Sequence, residues 1–374
     1  MCCMSIPNQK IGYFIETGVA GGAEEILFNS ACLAKAAGYE PVVFHFPHPW
    51  LKNQCIERGV TSVELSIQRT FKSTATLPIF AVQFARVLRS EKIALLHSHL
   101  FGPIVGGGLA AFLARIPHLG TLHDIYMVEE KPLRIRLLQL VERLGTRFVA
   151  VSKNMRDFYT QHHGISKLKC ATIYNYCELN TCASNVKCAP NIKLFVVGRL
   201  IKLKRVDRVI SVFCGLAKEY SNIELVIVGE GEEAVPLKQQ VPKNLEHRIS
   251  FLGRREDVAR LLCSADIFIQ FSETEGLSMS ILEAIAAGLP AVVSDVGGNS
   301  ELVVDDVNGF LVPADNDGEL GEKLAILIND CDLRERMGRC SQAVAAEKFS
   351  KETFVEQYFS LYNLLLSSKN AQVN

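Results

Sequence analysis

Glu275 and Glu283, separated by seven residues, lie within the stretch Ser272-Glu-Thr-Glu-Gly-Leu-Ser-Met-Ser-Ile-Leu-Glu-Ala-Ile-Ala-Ala-Gly-Leu-Pro290 and bracket its expected helix start. An apolar run, Asp266-Ile-Phe-Ile-Gln-Phe271, precedes it and Ala291-Val-Val-Ser294 follows, so the unit reads strand, loop, helix, strand. Gly276 is expected to let the loop turn sharply and Ser278 to cap the helix. The backbone of Gly276, Leu277, Ser278 and Met279 then offers unpaired amide hydrogens where an anion such as a phosphate is favoured. Carboxylates beside an anion make sense only if they face other parts of the same ligand, such as sugar hydroxyls. Solvated acids complementing the helix dipole would leave the same pattern, and spacing alone does not choose.

Three histidines form a second cluster. His97 and His99 in His97-Ser-His-Leu-Phe-Gly-Pro103, and His123 in Thr121-Leu-His-Asp124, are expected at or just after the ends of neighbouring strands. A lone histidine is usually structural; three converging on one sheet edge point to a site. Gly21 and Gly22 sit where a first strand, Ile11–Ile15, turns into a helix, and a ligand could approach there, although tight turning explains a glycine pair equally well. Gly229-Glu-Gly231 lacks the third glycine and the strand-end acid of a dinucleotide fingerprint, which argues against a nicotinamide site.

Positioning these residues takes a regular scaffold. Short apolar runs alternate with helical patterns through Ile173, and again from Ile192 onward, as in parallel sheets covered on both faces, where ligands lie beyond the carboxyl ends of the strands. Residues 174–190 lose periodicity and gather Asn, Thr, Ser and Cys, marking a linker. With 374 residues the chain exceeds the roughly 250–300 at which single cores stop growing. The expected domains are 1–186 and 187–349, each an α/β doubly wound sheet, with a final helix over 350–374 crossing back to the first.

Hydrophobic residues make up 48% and charged residues 21%, as in ordinary globular proteins. The net charge of zero hides 19 Lys and Arg against 13 Asp and Glu in residues 1–186, and 21 against 27 in the remainder. A basic first half suits an anionic membrane surface or a lipid-phosphate acceptor, through Arg134, Arg136, Arg143 and Arg147, or is simply a solvated helix face. Nucleic acid is not expected, for want of an aromatic-basic motif. The twelve cysteines include no C-x-x-C pair and are expected to be reduced and mostly buried. No secretory signal or spanning run is visible, so a cytoplasmic location, peripheral at the inner membrane face, is expected. Cys2 and Cys3 could be acylated only with support that their neighbours lack.

Three motifs in order carry a resemblance: Gly-Arg-Leu-x-x-x-Lys-x-x-Asp at 198–207, Glu-Gly-Leu-Ser-x-x-x-Leu-Glu-Ala at 275–284, and Gly-x-Pro-x-Val-x-Ser-Asp-x-Gly-Gly at 288–298. The chain resembles the retaining glycosyltransferases of family 4 over almost its whole length, from Gly-Gly-Ala-Glu at 21–24 to Phe-Ser-Lys-Glu-x-Phe-Val-Glu-Gln-Tyr at 349–358. The resemblance implies the GT-B fold, two Rossmann-like domains facing a central cleft. It makes Arg199 and Lys204 the diphosphate clamp, Glu283 the ribose-binding acid and Glu275 the carboxylate beside the transferring sugar. His123 would contact that sugar at the reacting centre. Gly22 would close over the diphosphate, Gly229, Gly231 and Arg254 would lie near the base, and His99 would line the acceptor or sugar region. A nucleotide-sugar donor is implied, UDP more than GDP, with no metal or other cofactor, and a glycan or lipid-linked acceptor.

The sequence departs from relatives in three places: Arg205 stands where glycine is common after the clamp lysine, Asn175-Tyr-Cys-Glu178 replaces Asn-Gly-Val-Asp, and Leu277-Ser278 replaces Phe-Gly. These put hinge geometry and the donor sugar in question more than the chemistry. Competing readings are a non-catalytic sugar-nucleotide sensor, which would have no use for His123 and Glu275 together, and a nucleotide-sugar epimerase, which would need no acceptor.

Overall fold

The computed structural model describes residues 9–17, 21–129, 131–178 and 191–373. Cys2, Cys3 and most of the expected linker lie outside them. The chain divides into two compact units, residues 1–175 with 352–374, and residues 176–351.

The first unit holds a seven-stranded, wholly parallel sheet: β1 (Lys10–Phe14), β2 (Glu40–His45), β3 (Thr61–Glu64), β4 (Leu95–His99), β5 (His118–Leu122), β6 (Arg147–Ala150) and β7 (Cys170–Thr172), in the order β3-β2-β1-β4-β5-β6-β7. A cluster of aromatic rings, Phe14, Phe44, Phe46, Phe71, Phe80 and Phe84, fills one face. Two helices escaped the sequence reading, Pro49–Arg58 and Gln68–Phe71. The first buries only Leu51 and Cys55, and the second nothing, so neither carries an apolar stripe. The helix expected over Lys153–His162 is α-helical to Asp157 and continues as a π-helix from Phe158.

Helix Lys351–Val373 packs in this first unit, as expected of a crossing segment. It supplies Phe354, Tyr358, Phe359 and Tyr362, all buried. Tyr358 and Tyr362 satisfy polar atoms of the central strands. His97 Nδ1 lies 2.7 Å from Tyr362 Oη and Nε2 lies 2.7 Å from Thr121 Oγ1, which is 3.1 Å from Tyr358 Oη. Tyr362 Oη is 3.2 Å from that of Tyr13, whose hydroxyl donates to the Ser30 carbonyl at 3.3 Å. His118 bridges Thr146 Oγ1 and Ser98 Oγ at 2.9 and 3.0 Å. Buried polar groups left unpaired cost roughly 1–3 kcal/mol each, so these pairings let β4 and β5 carry histidines between two covered faces.

The second unit holds a six-stranded parallel sheet: β8 (Ile192–Val197), β9 (Ile223–Val228), β10 (Ile249–Phe251), β11 (Ile267–Gln270), β12 (Ala291–Ser294) and β13 (Gly309–Val312), in the order β10-β9-β8-β11-β12-β13. β13 was not anticipated; four residues are too few for a period to show. Helices Val206–Leu216 and Asp317–Asn329 cover one face, where Val209, Ile210, Phe213, Leu320, Leu324 and Leu327 meet strand residues such as Leu194, Leu225 and Ile227. Both sheets have the doubly wound order, which reverses beside the first strand of each.

The cysteine expectation needs correction. Among the described residues six cysteines are free and only Cys55 and Cys170 of these are buried, whereas Cys263 and Cys331 are disulfide-bonded. Asp266 and Arg334, three residues beyond each, influence one another electrostatically, a proximity that sequence separation hides.

Burial holds His97 and His99 well below the usual histidine range and pushes His118 down to about 3, so all three are neutral in the folded unit. Unfolded, each takes a proton near pH 6.5. The folded pKa values being depressed, the stability they contribute is complete above about pH 6.5 and is lost as pH falls toward 3. Each histidine costs about 1.4 kcal/mol per pH unit in that window. Thermal melts from pH 7 downward should show the unfolding temperature falling with a slope that lessens when His118 is replaced by Asn; a flat profile would contradict the buried, neutral assignment.

Candidate active site

The second unit's polar cluster forms where the strand order reverses, at the carboxyl ends of β8 and β11. The loop leaving β8 carries Gly198, Arg199 and Lys204; the loop leaving β11 carries Glu275. Because β8 and β11 are neighbours, 71 residues of separation collapse to an ion pair, Lys204 Nζ to Glu275 Oε1 at 2.5 Å. Its side chains retain 20% and 9% exposure, so both charges are largely withdrawn from water. Glu273 N–H donates to the Leu203 carbonyl and Arg205 lies 3.4 Å from Glu273, fastening the two loops further. Arg199 is exposed beside this pair, and its side chain has no partner among the described residues.

Gln270 organises the cluster and was not singled out from sequence. Its Nε2 donates to Glu275 Oε1 at 2.5 Å, and its Oε1 accepts from Ser278 and Ser280 hydroxyls at 2.8 and 2.7 Å. The amide orientation is therefore fixed: the oxygen faces two hydroxyl donors and the nitrogen a carboxylate. The signal was its place as the sole amide in an otherwise apolar strand. Ser278 caps helix Met279–Ala286 as expected, its Oγ accepting from Ile281 N–H. The amides of Met279 and Ser280 have no acceptor within the helix, which leaves an anion-binding end a few residues from Lys204's carboxylate partner. Leu277 is buried, and Glu283 lies on this helix close enough to the Cys177 thiol to join burial in pushing it up to about 12.

Glycine plays a different part from the one expected. Gly276 is not left-handed; it is buried and its carbonyl accepts from Gly298 N–H. The positive φ falls on Gly297, at +55°, where a Cβ would lie 1.8 Å from the Glu275 carbonyl oxygen. Close approach of the β12 loop, rather than a turn at Gly276, shapes this edge. Gly229 and Gly231 likewise serve the chain: a Cβ at either would strike the Gly198 or Leu200 carbonyl oxygen, at 1.9 and 2.2 Å. Arg254 is exposed, its N–H donating to Glu230 at 3.3 Å. Arg205, where relatives carry glycine, adopts φ +46° and anchors on the Ala314 carbonyl.

Two Asp-x-Asp strings, Asp315-Asn-Asp317 and Asp330-Cys-Asp332, stand at helix starts. Asp317 pairs with Arg208 at 2.7 Å, Asn316 caps helix Asp317–Asn329 and Asp330 caps helix Cys331–Lys348. Asp317 and Asp330 thus serve the fold.

In the first unit two of the three histidines lie as expected, His99 at the carboxyl end of β4 and His123 just after β5, whereas His97 does not. His97 is inside β4, because the strand begins two residues later than the apolar run suggests, and both it and His99 are fully buried. His99 pairs with Thr121 across the sheet, which brings His99 Nδ1 within 2.9 Å of His123 Nε2. Burial pushes half-buried His123 down to about 4. Gly22 is the exposed first residue of helix Gly22–Ala36, with Gly21 as its cap; residues 18–20 of that loop lie outside the described residues. Of the basic patch, Arg134 is spent on the Met127 carbonyl and the Phe101 ring, Arg147 is half-buried, and Arg136 and Arg143 are exposed.

Replacing Gln270 by Leu would strip Glu275 of one donor and orphan two serine hydroxyls. Expected is a loss of roughly tenfold or more in turnover of a bound donor. Melting temperature should fall modestly, and unchanged turnover would show that Gln270 only fills the strand.

Comparison with known proteins agrees with this geometry. The family model described as Glycosyl transferases group 1 matches residues 183–343, and that described as Glycosyltransferase Family 4 matches residues 20–180. An uncharacterized glycosyltransferase of Haemophilus influenzae is 33% identical over 363 residues, 94% of this chain and 99% of its own. N-acetyl-alpha-D-glucosaminyl L-malate synthase of Bacillus anthracis is 27% identical over 314 residues, 78% of this chain and 81% of its own. A crystal structure of Anabaena Alr3699/HepE in complex with UDP-glucose superposes with a TM-score of 0.82 at 24% identity, covering 95% of this chain and 99% of that one. With both motif-bearing sheets accounted for, the chain belongs to the group 1, family 4 glycosyltransferases and has their GT-B fold of two Rossmann-like halves.

Proposed function

We propose that the protein transfers a sugar from a UDP-sugar, with retention of anomeric configuration, to a glycan or lipid-linked acceptor in cell-surface polysaccharide or glycolipid synthesis. The observation that carries this reading is the Lys204–Glu275 pair, braced by Gln270 and set beside exposed Arg199 and the open amides of the helix start at Met279. Breaking a glycosyl phosphate bond leaves charge on the diphosphate, and fixed cations with helix amides stabilise it without a metal or other cofactor. A cation at ~4 Å in an effective dielectric of ~20 interacts by about 4 kcal/mol, an upper figure that desolvation lowers. Felt only in the transition state, that is on the order of a thousandfold in rate. In this reading Glu275, its Oε1 held by Lys204 and Gln270, steadies the sugar, Glu283 the ribose, and His123 a sugar hydroxyl. UDP is favoured over GDP by relatives: an Escherichia coli one named for UDP-Gal as donor and diphosphoundecaprenol-linked sugar as acceptor, and HepE structures holding UDP and UDP-glucose.

Among the described residues no helix is long and apolar enough to cross a membrane. We propose a peripheral seat on anionic lipid through helix Pro132–Arg143, where Leu133 and Leu140 are 60% and 41% exposed beside Arg136 and Arg143. Basic side chains near such a surface contribute about 1 kcal/mol each.

UDP-glucose or UDP-N-acetylglucosamine should raise the melting temperature, and UDP release should follow. Arg199→Ala and Lys204→Ala should each lower release by a hundredfold or more, roughly 3 kcal/mol, with the fold intact. Near-normal transfer by either variant would reject the clamp, binding without release would favour a sensor, and an inverted product anomer would reject retention. On the membrane side, Arg136→Glu with Arg143→Glu should abolish co-sedimentation with phosphatidylglycerol vesicles; equal sedimentation would remove that contact.

A further inference from the structure

Two neutral histidines that touch through one pair of ring nitrogens share a single proton between those atoms, and the surroundings decide which ring owns it. In the first unit the pair is His99 Nδ1 and His123 Nε2, 2.9 Å apart with the rings stacked at 5.1 Å. The other nitrogen of His99, Nε2, is buried with no partner among the described residues. The other nitrogen of His123, Nδ1, is bonded to nothing among the described residues, and His123 is half-buried at the strand-end edge.

Of the two arrangements, one leaves a buried N–H on His99 Nε2 unpaired and the other leaves only a lone pair there. Orphaned buried N–H groups are the rarer of the two in proteins. We infer that His99 is a positioning residue: it donates from Nδ1 to Nε2 of His123 and so fixes His123 as the tautomer that offers an Nδ1–H to an oxygen bound at that edge. His123 is then a hydrogen-bond donor and not a base, since its only lone pair is already occupied.

Two features hold His99 to this role. Its ring packs, tilted by 43°, at 4.3 Å against His97, whose own state is dictated by a directed chain. Tyr13 must donate to the Ser30 carbonyl, so Tyr362 donates to Tyr13, and His97 Nδ1–H donates to Tyr362. Thr121 then donates to His97 Nε2 and accepts from Tyr358. Every proton in that chain has one place, and among the described residues no spare donor reaches His99 Nε2. Leu100, next along, is held at φ +74° and ψ +160°, a region essentially reserved for glycine that costs a side chain about 1–3 kcal/mol. Leu100 N–H donates to the Thr121 carbonyl at 3.2 Å, keeping the turn after His99 tied to the strand that leads to His123.

The inference rests on the preceding functional reading only for the identity of the oxygen, which there is a sugar hydroxyl. Its test does not. Nitrogen-15 spectra of the histidine rings of the full chain at neutral pH, without ligand, report which nitrogen of each ring is protonated. Expected are protonated Nδ1 and bare Nε2 on both His99 and His123. In His99→Phe the His123 signals should move toward a mixture of tautomers, and in His99→Asn, whose amide can stand in for Nδ1–H, they should stay. A protonated His123 Nε2 in the parent protein, or spectra of His123 unmoved by His99→Phe, would overturn the assignment. With UDP-glucose as probe, His99→Phe should lower kcat for UDP release roughly tenfold with KM little changed, whereas an unchanged kcat would overturn the positioning role. Absence of UDP release in the parent protein would count against the functional reading, and the ring spectra alone would then decide this inference.

Discussion

Each half of this protein depends on a parallel sheet whose strand order reverses beside its first strand. Parallel strands all end on one side, and on either side of the reversal the helical crossovers lead away in opposite directions, so a gap opens between two loops. In the second unit those loops belong to β8 and β11, and the gap holds Lys204 and Glu275. In the first unit the strand beyond the reversal, β4, carries His97 and His99, and its neighbour β5 leads to His123. Topology, not proximity in sequence, gathers the chemistry.

Burial then sets what the gathered groups can do. Lys204 and Glu275 would repel the interior if alone; paired, and with Gln270 completing the carboxylate's donors, they stand ready while Arg199 and the helix amides stay open to an anion. The histidines lie deeper, where charging any one would cost free energy that no carboxylate contact among the described residues offsets. His97 is therefore wired to hydroxyls of Thr121 and Tyr362, and through Thr121 to Tyr358, and helix Lys351–Val373 becomes part of the first unit's core. The chain's last helix is thus tied to the ring that packs against His99.

Much of the fold was legible because hydrophobic period and strand-end glycines are local. The alternation of strand and helix, the Ser278 cap and the returning helix all followed from it. Helix Pro49–Arg58 was not legible, since it buries only Leu51 and Cys55, and β13 was too short. Where a glycine's purpose is nonlocal, reading along the chain misplaced it: Gly276 looked like the turn, while the left-handed residue is Gly297, forced by the Glu275 carbonyl of another loop. Arg205 shows the converse, a non-glycine held left-handed because its guanidinium finds the Ala314 carbonyl.

The amino-acid order by itself determined the element types, the two-unit plan and the identity of the charged and polar groups on the functional edges, because these depend on neighbours within a helical turn or a strand. Only the tertiary structure decided that Gln270 orients Glu275, that His99 and not solvent faces His123, and that the Asp-x-Asp strings cap helices. Those outcomes are distances of a few ångströms between residues tens of positions apart, set by which strands lie side by side, and no local pattern carries that information.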